Sequence, residues 1–451
     1  MKNNNISILG AGLIGSLLGV YLRKRGLNVS IFEKRSDNRN DQYKEEGRSI
    51  NMALSHRGWK ALEKVGLKEK IEPLAIPMYG RRVHDEHGRT SFLPYGKDQQ
   101  AIYSISRGKF NQILLEEAEK EGAQLFFDHK CVDVNIYTHQ IKFLLPDEEV
   151  KRVASDVIIG ADGAYSSLRH AMQKQVRFNF SQEYISHGYK ELTIPPNAEG
   201  EFAMDPNALH IWPRGNFMLI ALPNPDKSFT CTLFLPFEGT KVCFDKIHDQ
   251  RDVESIFKTY FDDAFDMMPH LTSEFFKNPT SALININCYP WVKNQCVLIG
   301  DASHAMVPFY GQGMNSGFED CDILDDLLAK FGTTSWELVL EKFQKIRKPD
   351  TDAVCQLALE NFIEMRDSVS DPKFQIRKKI EAKLHELYPK EWIPLYTMVT
   401  FTSIPYTEAY AQGKLQDLIM NKIMADPLIT QNWDKLDYED IINQVETAKA
   451  V

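Results

Sequence analysis

Ile6-Ser-Ile-Leu-Gly10-Ala-Gly12-Leu-Ile-Gly15 opens the chain as a short apolar strand running into a glycine turn. Leu13 to Arg25 then reads as a helix, closed by Gly26, and Val29-Ser-Ile-Phe-Glu33 reads as a second strand. A strand, a Gly-x-Gly-x-x-Gly turn, a helix and a second strand ending in an acid make a dinucleotide-binding unit. Gly10 allows the tight bend, Gly12 lets the backbone approach a pyrophosphate, and Gly15 lets the helix pack on the strand. The helix start supplies amide donors and the positive end of a dipole. Glu33 stands where an acid takes ribose hydroxyls, and a carboxylate there disfavours a 2′-phosphate.

The same chemistry returns far along the chain. Val297-Leu-Ile-Gly300-Asp301-Ala-Ser-His304-Ala-Met-Val-Pro308 is another buried strand ending in Gly-Asp, followed by Gly311-Gln-Gly313-Met-Asn315. Asp301 is placed to accept from a ribityl hydroxyl, or to begin the next helix, or both. The 311–315 segment offers backbone amides suited to a flavin edge. Between them, Val157-Ile-Ile-Gly160 runs into Ala161-Asp162-Gly163, with Ser166 as a helix cap. Two separated segments that suit the two ends of one long cofactor point to FAD.

Composition bounds the rest. The chain has 451 residues, 43% hydrophobic and 25% charged, enough for a large core and two or three structural units. Its 53 basic and 62 acidic side chains leave a net charge of −9, with no basic stripe to meet nucleic acid. The densest basic run, Arg377 to Lys383, is interrupted by Glu381 and reads as a solvated helix face. Seven scattered cysteines without a Cys-x-x-Cys suggest neither a zinc site nor a disulfide framework, and no metal is expected. No signal peptide is expected ahead of the first strand, and no uncharged apolar run approaches about 18 residues.

The expected fold class is α/β. A Rossmann-like FAD-binding domain comprises 1–175 with 291–335 and is interleaved near 70–105 with strands of the substrate sheet. An antiparallel β-rich substrate domain follows over 176–290, and a C-terminal helical domain over 336–451. Arg81–Pro94 reads as a hairpin. Prolines at 349, 372, 389, 394 and 405 are expected to break the C-terminal helices, and the residues after 410 to form a solvated helical tail.

The glycine turn, the Asp162-Gly163 segment and the Gly300-Asp301-Ala-x-His304-x-x-x-Pro308 segment, in this order, resemble the class A flavoprotein aromatic hydroxylases. Further segments narrow the resemblance to the kynurenine 3-monooxygenase family. They are Arg48-Ser-Ile-Asn-Met-Ala-Leu-Ser55, Pro94-Tyr95-Gly96, Val307 to Asn315, Ala358-Leu-Glu-Asn361-Phe-Ile-Glu-Met365-Arg and Pro394-Leu-Tyr396-Thr-Met-Val-Thr-Phe401. The resemblance covers residues 6 to about 410. It implies tightly bound FAD, with NADPH and O2 as co-substrates. It also implies hydroxylation of L-kynurenine to 3-hydroxy-L-kynurenine through a flavin C4a-hydroperoxide, a step of tryptophan catabolism.

By the same resemblance, FAD is held by Gly10, Gly12, Leu13, Gly15, Glu33, Ala53, Arg107, Val132, Asp162, Asp301, Gly313, Met314 and Asn315. Arg81 and Tyr95 take the substrate carboxylate, Asn361 and Tyr396 close on the same end, and Phe309 and Met365 line the ring. Read alone, Arg81 beside Arg82 is a surface charge, Asn361 an exposed helix residue and Tyr396 a core aromatic. His304, inside the FAD-holding turn, reads as structural. Eukaryotic members carry a hydrophobic C-terminal anchor, whereas 421–451 is polar here, so a cytoplasmic protein of bacterial type is expected. A single Gly-x-Gly-x-x-Gly leaves NADPH without a Rossmann domain of its own, so its preference over NADH rests on the resemblance. A hydroxylase of a simpler aromatic acid, a flavin-binding protein without turnover and a plain NAD dehydrogenase are the competing readings. Monomer and dimer both stay open.

Overall fold

A computed structural model describes residues 4–37, 39, 51–96, 99–239, 241–364 and 372–449. The chain forms two compact units, one of 1–76, 103–185 and 279–355, the other of 77–102, 186–278 and 356–451.

The first unit is built on a six-stranded sheet. Its order is Val292–Lys293, Cys296–Leu298, Val157–Gly160, Asn5–Leu9, Asn28–Phe32, Gln124–Phe126. All neighbours pair in parallel except the outermost, Val292–Lys293 with Cys296–Leu298. Parallel strands need crossover connections, and the helix Leu13–Lys24 is the first of them. Leu17, Leu18 and Val20 of that helix are fully buried against the sheet. Asn5–Leu9 lies between Val157–Gly160 and Asn28–Phe32, so the glycine turn and the Asp162-Gly163 segment leave adjacent strands at the same end. Ligands of doubly wound sheets collect at that carboxyl end. An antiparallel sheet of Lys130–Asn135, Gln140–Leu144 and Val150–Ala154 flanks this core, and Asn51–Leu54 pairs antiparallel with 103–106.

The second unit carries a sheet in the order 186–194, Phe229–Pro236, Met218–Pro223, Leu209–Pro213, Gly80–His84, Thr90–Pro94. Gly80–His84 and Thr90–Pro94 form the expected hairpin. The sheet is not wholly antiparallel as expected, because Leu209–Pro213 pairs in parallel with Gly80–His84. Helices Gln250–Tyr260, Asp262–Phe265 and Leu271–Lys277, absent from the expected β-rich segment, cover one face of it. Val253, Phe257, Phe261 and Leu271 pack there against Trp212, Leu219, Cys231 and Leu233. The signal was legible in Asp249-Gln-Arg-Asp252, whose two aspartates form a reciprocal capping box.

Two expectations about the C-terminal region fail. Pro349 lies inside the continuous helix Trp336–Ile363 and does not break it. The residues after 410 are not a solvated tail. Leu415, Ile419, Met420, Ile429, Ile441, Ile442 and Val445 join Ile380, Leu384 and Trp392 in a core of their own. Spaced by helical turns among charged neighbours, these apolar residues gather one face that only folding assembles. The 377–383 run is likewise more than a solvated face: Arg377 pairs with Glu381 at 2.7 Å and Lys378 with Glu381 at 3.1 Å. No helix among the described residues is long and apolar enough to cross a membrane.

Candidate active site

In the first unit the glycine turn is held from behind. The Gly10 amide donates to the Phe32 carbonyl at 2.7 Å, and Asn111 Nδ2 donates to the Ala11 carbonyl at 3.0 Å. Gly10 has φ +99°, and a Cβ on it would sit 2.4 Å from the Ala161 carbonyl oxygen, so only glycine fits. Gly15 would drive a Cβ to 2.0 Å from the Gly10 carbonyl oxygen. Gly12 differs: a Cβ there would meet nothing within 4 Å. The space above Gly12 is open, and the helix beginning at Leu13 has no side-chain cap on its first amides. An open cradle over uncapped amides fits a pyrophosphate.

Glu33 lies just past its strand. Its Oε2 accepts the Ala11 amide at 3.0 Å, and its Oε1 accepts the Arg35 amide at 3.1 Å and Arg35 Nε at 2.9 Å. Burial pushes this carboxyl up, but Arg35 and the two amides outweigh it and hold it below the ordinary range. The acid is therefore ionised and fixed beside the turn.

Asp162 presents a buried polar atom without a partner. Its Oδ2 accepts the Ser167 amide at 2.7 Å, while its Oδ1 is buried and makes no hydrogen bond. Burial raises its carboxyl above the usual value. Such an atom is costly unless a ligand or water completes it. Nearby, Val132 stands at a bulge: Phe143 pairs with Cys131 and Lys142 with Asp133, leaving Val132 between them and 43% exposed. Ser167 Oγ donates to the Cys131 carbonyl at 3.0 Å and joins these two segments. Arg107 begins the helix Arg107–Lys120 and is exposed.

Asp301 starts a one-turn helix behind Gly300, is exposed, and its carboxylate makes no hydrogen bond among the described residues. Met314 is buried, and Gly313 opens the helix Gly313–Phe331. The Asn315 carboxamide is taken up inside the protein. Its Nδ2 donates to the Ala53 and Gly311 carbonyls, both at 2.8 Å, and its Oδ1 accepts the Ser55 amide at 2.9 Å. It ties the glycine loop to the strand Asn51–Leu54. Open space over Gly12, the orphaned Asp162 Oδ1 and the unpaired Asp301 carboxylate together fit a polyhydroxylated diphosphate such as FAD.

Sequence reading missed a network beneath this turn. Asp320, fully buried, accepts the Gly300 amide at 3.0 Å, His304 Nε2 at 2.7 Å and Arg347 Nε at 2.7 Å. Arg347 reaches Glu319 at 2.7 Å, and Glu319 also receives Arg57. His304 Nε2 is thus held by a buried carboxylate beneath the turn.

The second unit gathers a different cluster. Arg81 on Gly80–His84, Tyr95 just past Thr90–Pro94, and Tyr396 and Phe401 on the helix Leu395–Phe401 converge. The Tyr95 and Tyr396 rings stack at 5.2 Å with 15° between planes, and each lies near Phe401, at 6.2 and 6.1 Å. The Arg81 guanidinium carbon lies 5.0 Å from the Tyr396 ring centre and 5.7 Å from that of Tyr95. Burial disfavours the Arg81 charge, but Tyr396, Tyr95 and the Glu364 carboxylate outweigh it and keep the group above its ordinary value. Yet Arg81 Nε and Tyr95 Oη are buried without hydrogen-bond partners. A charged fork and a phenol with spare donors, walled by rings, suit a carboxylate.

Asn361 is buried near the end of the helix Trp336–Ile363, one turn before Glu364. Glu364 was missed in the sequence, although its spacing from Asn361 puts both on one helix face. Phe309 is buried in the first unit, in the turn Pro308–Tyr310. Met365 and the segment Arg48 to Ile50 lie outside the described residues.

A family model described as an FAD binding domain matches residues 3–358. Over 443 residues the chain is 46% identical to the kynurenine 3-monooxygenase of Christiangramia forsetii, covering 98% of each protein. The chain belongs to the kynurenine 3-monooxygenase family. It is also 46% identical to the Sus scrofa member over 425 residues, covering 93% of this chain and 89% of that one. The Flavobacterium psychrophilum member is 44% identical, with 99% of this chain and 100% of that one covered.

Solved structures extend the likeness in fold alone. 2-methyl-3-hydroxypyridine-5-carboxylic acid oxygenase matches with a TM-score of 0.65 at 18% identity, covering 82% of this chain and 95% of the other. Pseudomonas aeruginosa PqsL matches with 0.64 at 18% identity, covering 81% and 97%. The fold is therefore the α/β FAD-binding monooxygenase fold, with mixed sheets and C-terminal helices.

Proposed function

We propose that this chain hydroxylates L-kynurenine at the 3-position, using FAD, NADPH and O2, in the catabolism of tryptophan. The observation that carries the reading is the half-buried, charged Arg81, its Nε buried without a partner, beside the buried, unpartnered Tyr95 hydroxyl. A family of amino-acid hydroxylases needs one carboxylate site, and this cluster supplies one.

When bound, FAD supplies hydride acceptance from NADPH and an electrophilic oxygen from O2. The residues of the chain bind and orient. Gly10, Gly12, Leu13 and Gly15 cradle the pyrophosphate, with Arg107 beside it. Glu33, Ala53, Val132, Asp162 and Asp301 hold the nucleoside and ribityl portions, and Gly313, Met314 and Asn315 shape the ring edge. Arg81 donates two parallel hydrogen bonds to the substrate carboxylate, and Tyr95 adds a third. Asn361 and Tyr396 close on the same end, while Phe309 and Met365 pack on the ring. An arylamine is electron-rich ortho to its nitrogen, so orientation decides which carbon meets the oxygen. The chemistry asks the side chains for neither a nucleophile nor a metal ligand.

The domain assignment belongs to the same proposal: 1–175 with 291–335 for FAD, 176–290 for the substrate sheet, 336–451 for the helices. So does a cytoplasmic location, supported by seven cysteines without a disulfide. The test is NADPH and O2 consumption by the purified flavoprotein with L-kynurenine, with the product identified by mass. Stimulated consumption with the gain of one oxygen at the 3-position is expected. Peroxide without hydroxylated product would remove kynurenine as the substrate.

A further inference from the structure

Asp320 sits on the third turn of the helix Gly313–Phe331, away from the glycine loop that begins it, and touches no group assigned to the cofactor. Its environment is nonetheless built around the cofactor turn. Oδ2 accepts two donors from that turn, the Gly300 amide at 3.0 Å and His304 Nε2 at 2.7 Å. Oδ1 accepts Arg347 Nε at 2.7 Å. Both Asp320 and Arg347 are 0% exposed. Burial works against the Asp320 charge, while His304 and Arg347 outweigh it and hold the carboxyl below the ordinary range.

Gly300 has φ +59° and ψ −142°, a conformation that side-chain-bearing residues rarely adopt. Asp301 follows it directly, so the direction of its carboxylate is set by how the Gly300 amide is held. Without a fixed acceptor, that amide would be a buried donor without a partner. Asp320 provides the acceptor and joins it, through His304, to the far end of the same turn.

We propose that Asp320 is a positioning residue for the cofactor, holding the Gly300–His304 turn so that Asp301 meets the FAD ribityl chain. The proposal rests on the FAD reading of the first unit. The charge matters as much as the shape. All three partners are donors, and an asparagine carboxamide accepts on one side only. Asp320→Asn therefore sets its NH2 either against Arg347 or against Gly300 and His304.

Glu319 separates this role from general stability. It shares Arg347 with Asp320 and receives Arg57, but bonds neither Gly300 nor His304. The experiment is titration of deflavo-protein with FAD, followed by flavin fluorescence and visible circular dichroism, beside thermal melts of the same samples. Asp320→Asn is expected to bind FAD at least tenfold more weakly, with an altered flavin dichroism. Glu319→Gln is expected to lose thermal stability while its FAD dissociation constant stays within twofold of the unsubstituted protein. An Asp320→Asn affinity within twofold, or an equal loss in Glu319→Gln, overturns the proposal. Should Asp320→Asn not fold, His304→Ala removes one of the three donors. It is expected to weaken FAD at least threefold, and an unchanged affinity overturns the proposal. Failure of the unsubstituted deflavo-protein to take up FAD would instead overturn the cofactor reading, and the role of Asp320 with it.

Discussion

Ile14 and Gly300 meet so closely that a Cβ at position 300 would lie 2.9 Å from Ile14 Cγ1. Ile14 belongs to the first turn of the helix after the glycine cradle, and Gly300 precedes Asp301. The same Ile14 side chain would stand 2.7 Å from a Cβ on Gly317. One isoleucine thus packs together the opening turn, the Gly300 turn and the helix behind it. Gly300→Ala adds a methyl group at a positive φ and against Ile14. A loss of roughly 1–3 kcal/mol from backbone strain alone is expected, together with weaker FAD retention. Thermal melts with and without added FAD check this, and an unchanged melt would show that the turn relaxes freely.

Arg81→Ala removes the guanidinium that lies against the second unit's aromatic cluster. The Michaelis constant for L-kynurenine should rise by the equivalent of about 2 kcal/mol or more, with little change in FAD content. Arg81→Lys should recover only part of the loss, because an ammonium cannot make the paired fork. Steady-state kinetics on both variants decide it; a Michaelis constant unchanged in Arg81→Ala would move the carboxylate elsewhere.

Asn315→Ala strips three hydrogen bonds from a fully buried position and leaves the Ser55 amide and two carbonyls without that partner. Each unsatisfied buried group costs about 1–3 kcal/mol. The variant should melt well below the parent and lose flavin on gel filtration. Normal melting with full flavin would show that water replaces the carboxamide.

His210 gives a pH dependence whose sign can be worked out. Burial drives its imidazole down to about 4. Its Nε2 meets the Asp205 carbonyl at 2.9 Å and its Nδ1 meets His84 Nε2 at 2.9 Å. His84 in turn meets Asp263 at 2.6 Å. Above the unfolded value of about 6.5, the ring is neutral in both states and contributes no slope. As pH falls from there towards 4, the unfolded chain takes a proton that the folded protein refuses, so stability declines. At about 1.4 kcal/mol per pH unit the limit is roughly 3 kcal/mol. His210→Asn should start less stable at neutral pH yet lose less between pH 7 and 4.5. Parallel thermal midpoints for the two proteins would refute the assignment.

The sequence was most informative where one residue type is required by local geometry. The glycine turn, the helix Leu13–Lys24, the strand Val157–Gly160 and the hairpin around Asp85–Gly88 are all local patterns, and they stand where the chain chemistry put them. The cover helices of the second unit were passed over because short apolar runs between Pro and Gly suit strand and helix alike. Pro349 misled because a proline in a long helix can be accommodated when the surrounding packing is strong. The C-terminal core was hidden because its apolar residues are sparse along the chain and join only in three dimensions.

The sequence by itself determined that an FAD-type cradle exists, that its parts come from segments far apart in the 451-residue chain, and which family the motifs resemble. It carried Arg81, Asn361 and Tyr396 only through resemblance, since each alone reads as ordinary surface or core. Tertiary structure decided that Arg81 lies beside the stacked rings of Tyr95 and Tyr396, with its Nε and the Tyr95 hydroxyl unpartnered, and that the Asn315 carboxamide is spent on its own backbone neighbours. It also decided that Asp320, a residue with no motif role in the reading of the chain, holds the Gly300 turn. The physical reason is the range of the interactions. Turn conformation and helix periodicity are written within a few residues, whereas the partner of a buried charge is chosen by elements that meet only when the chain folds.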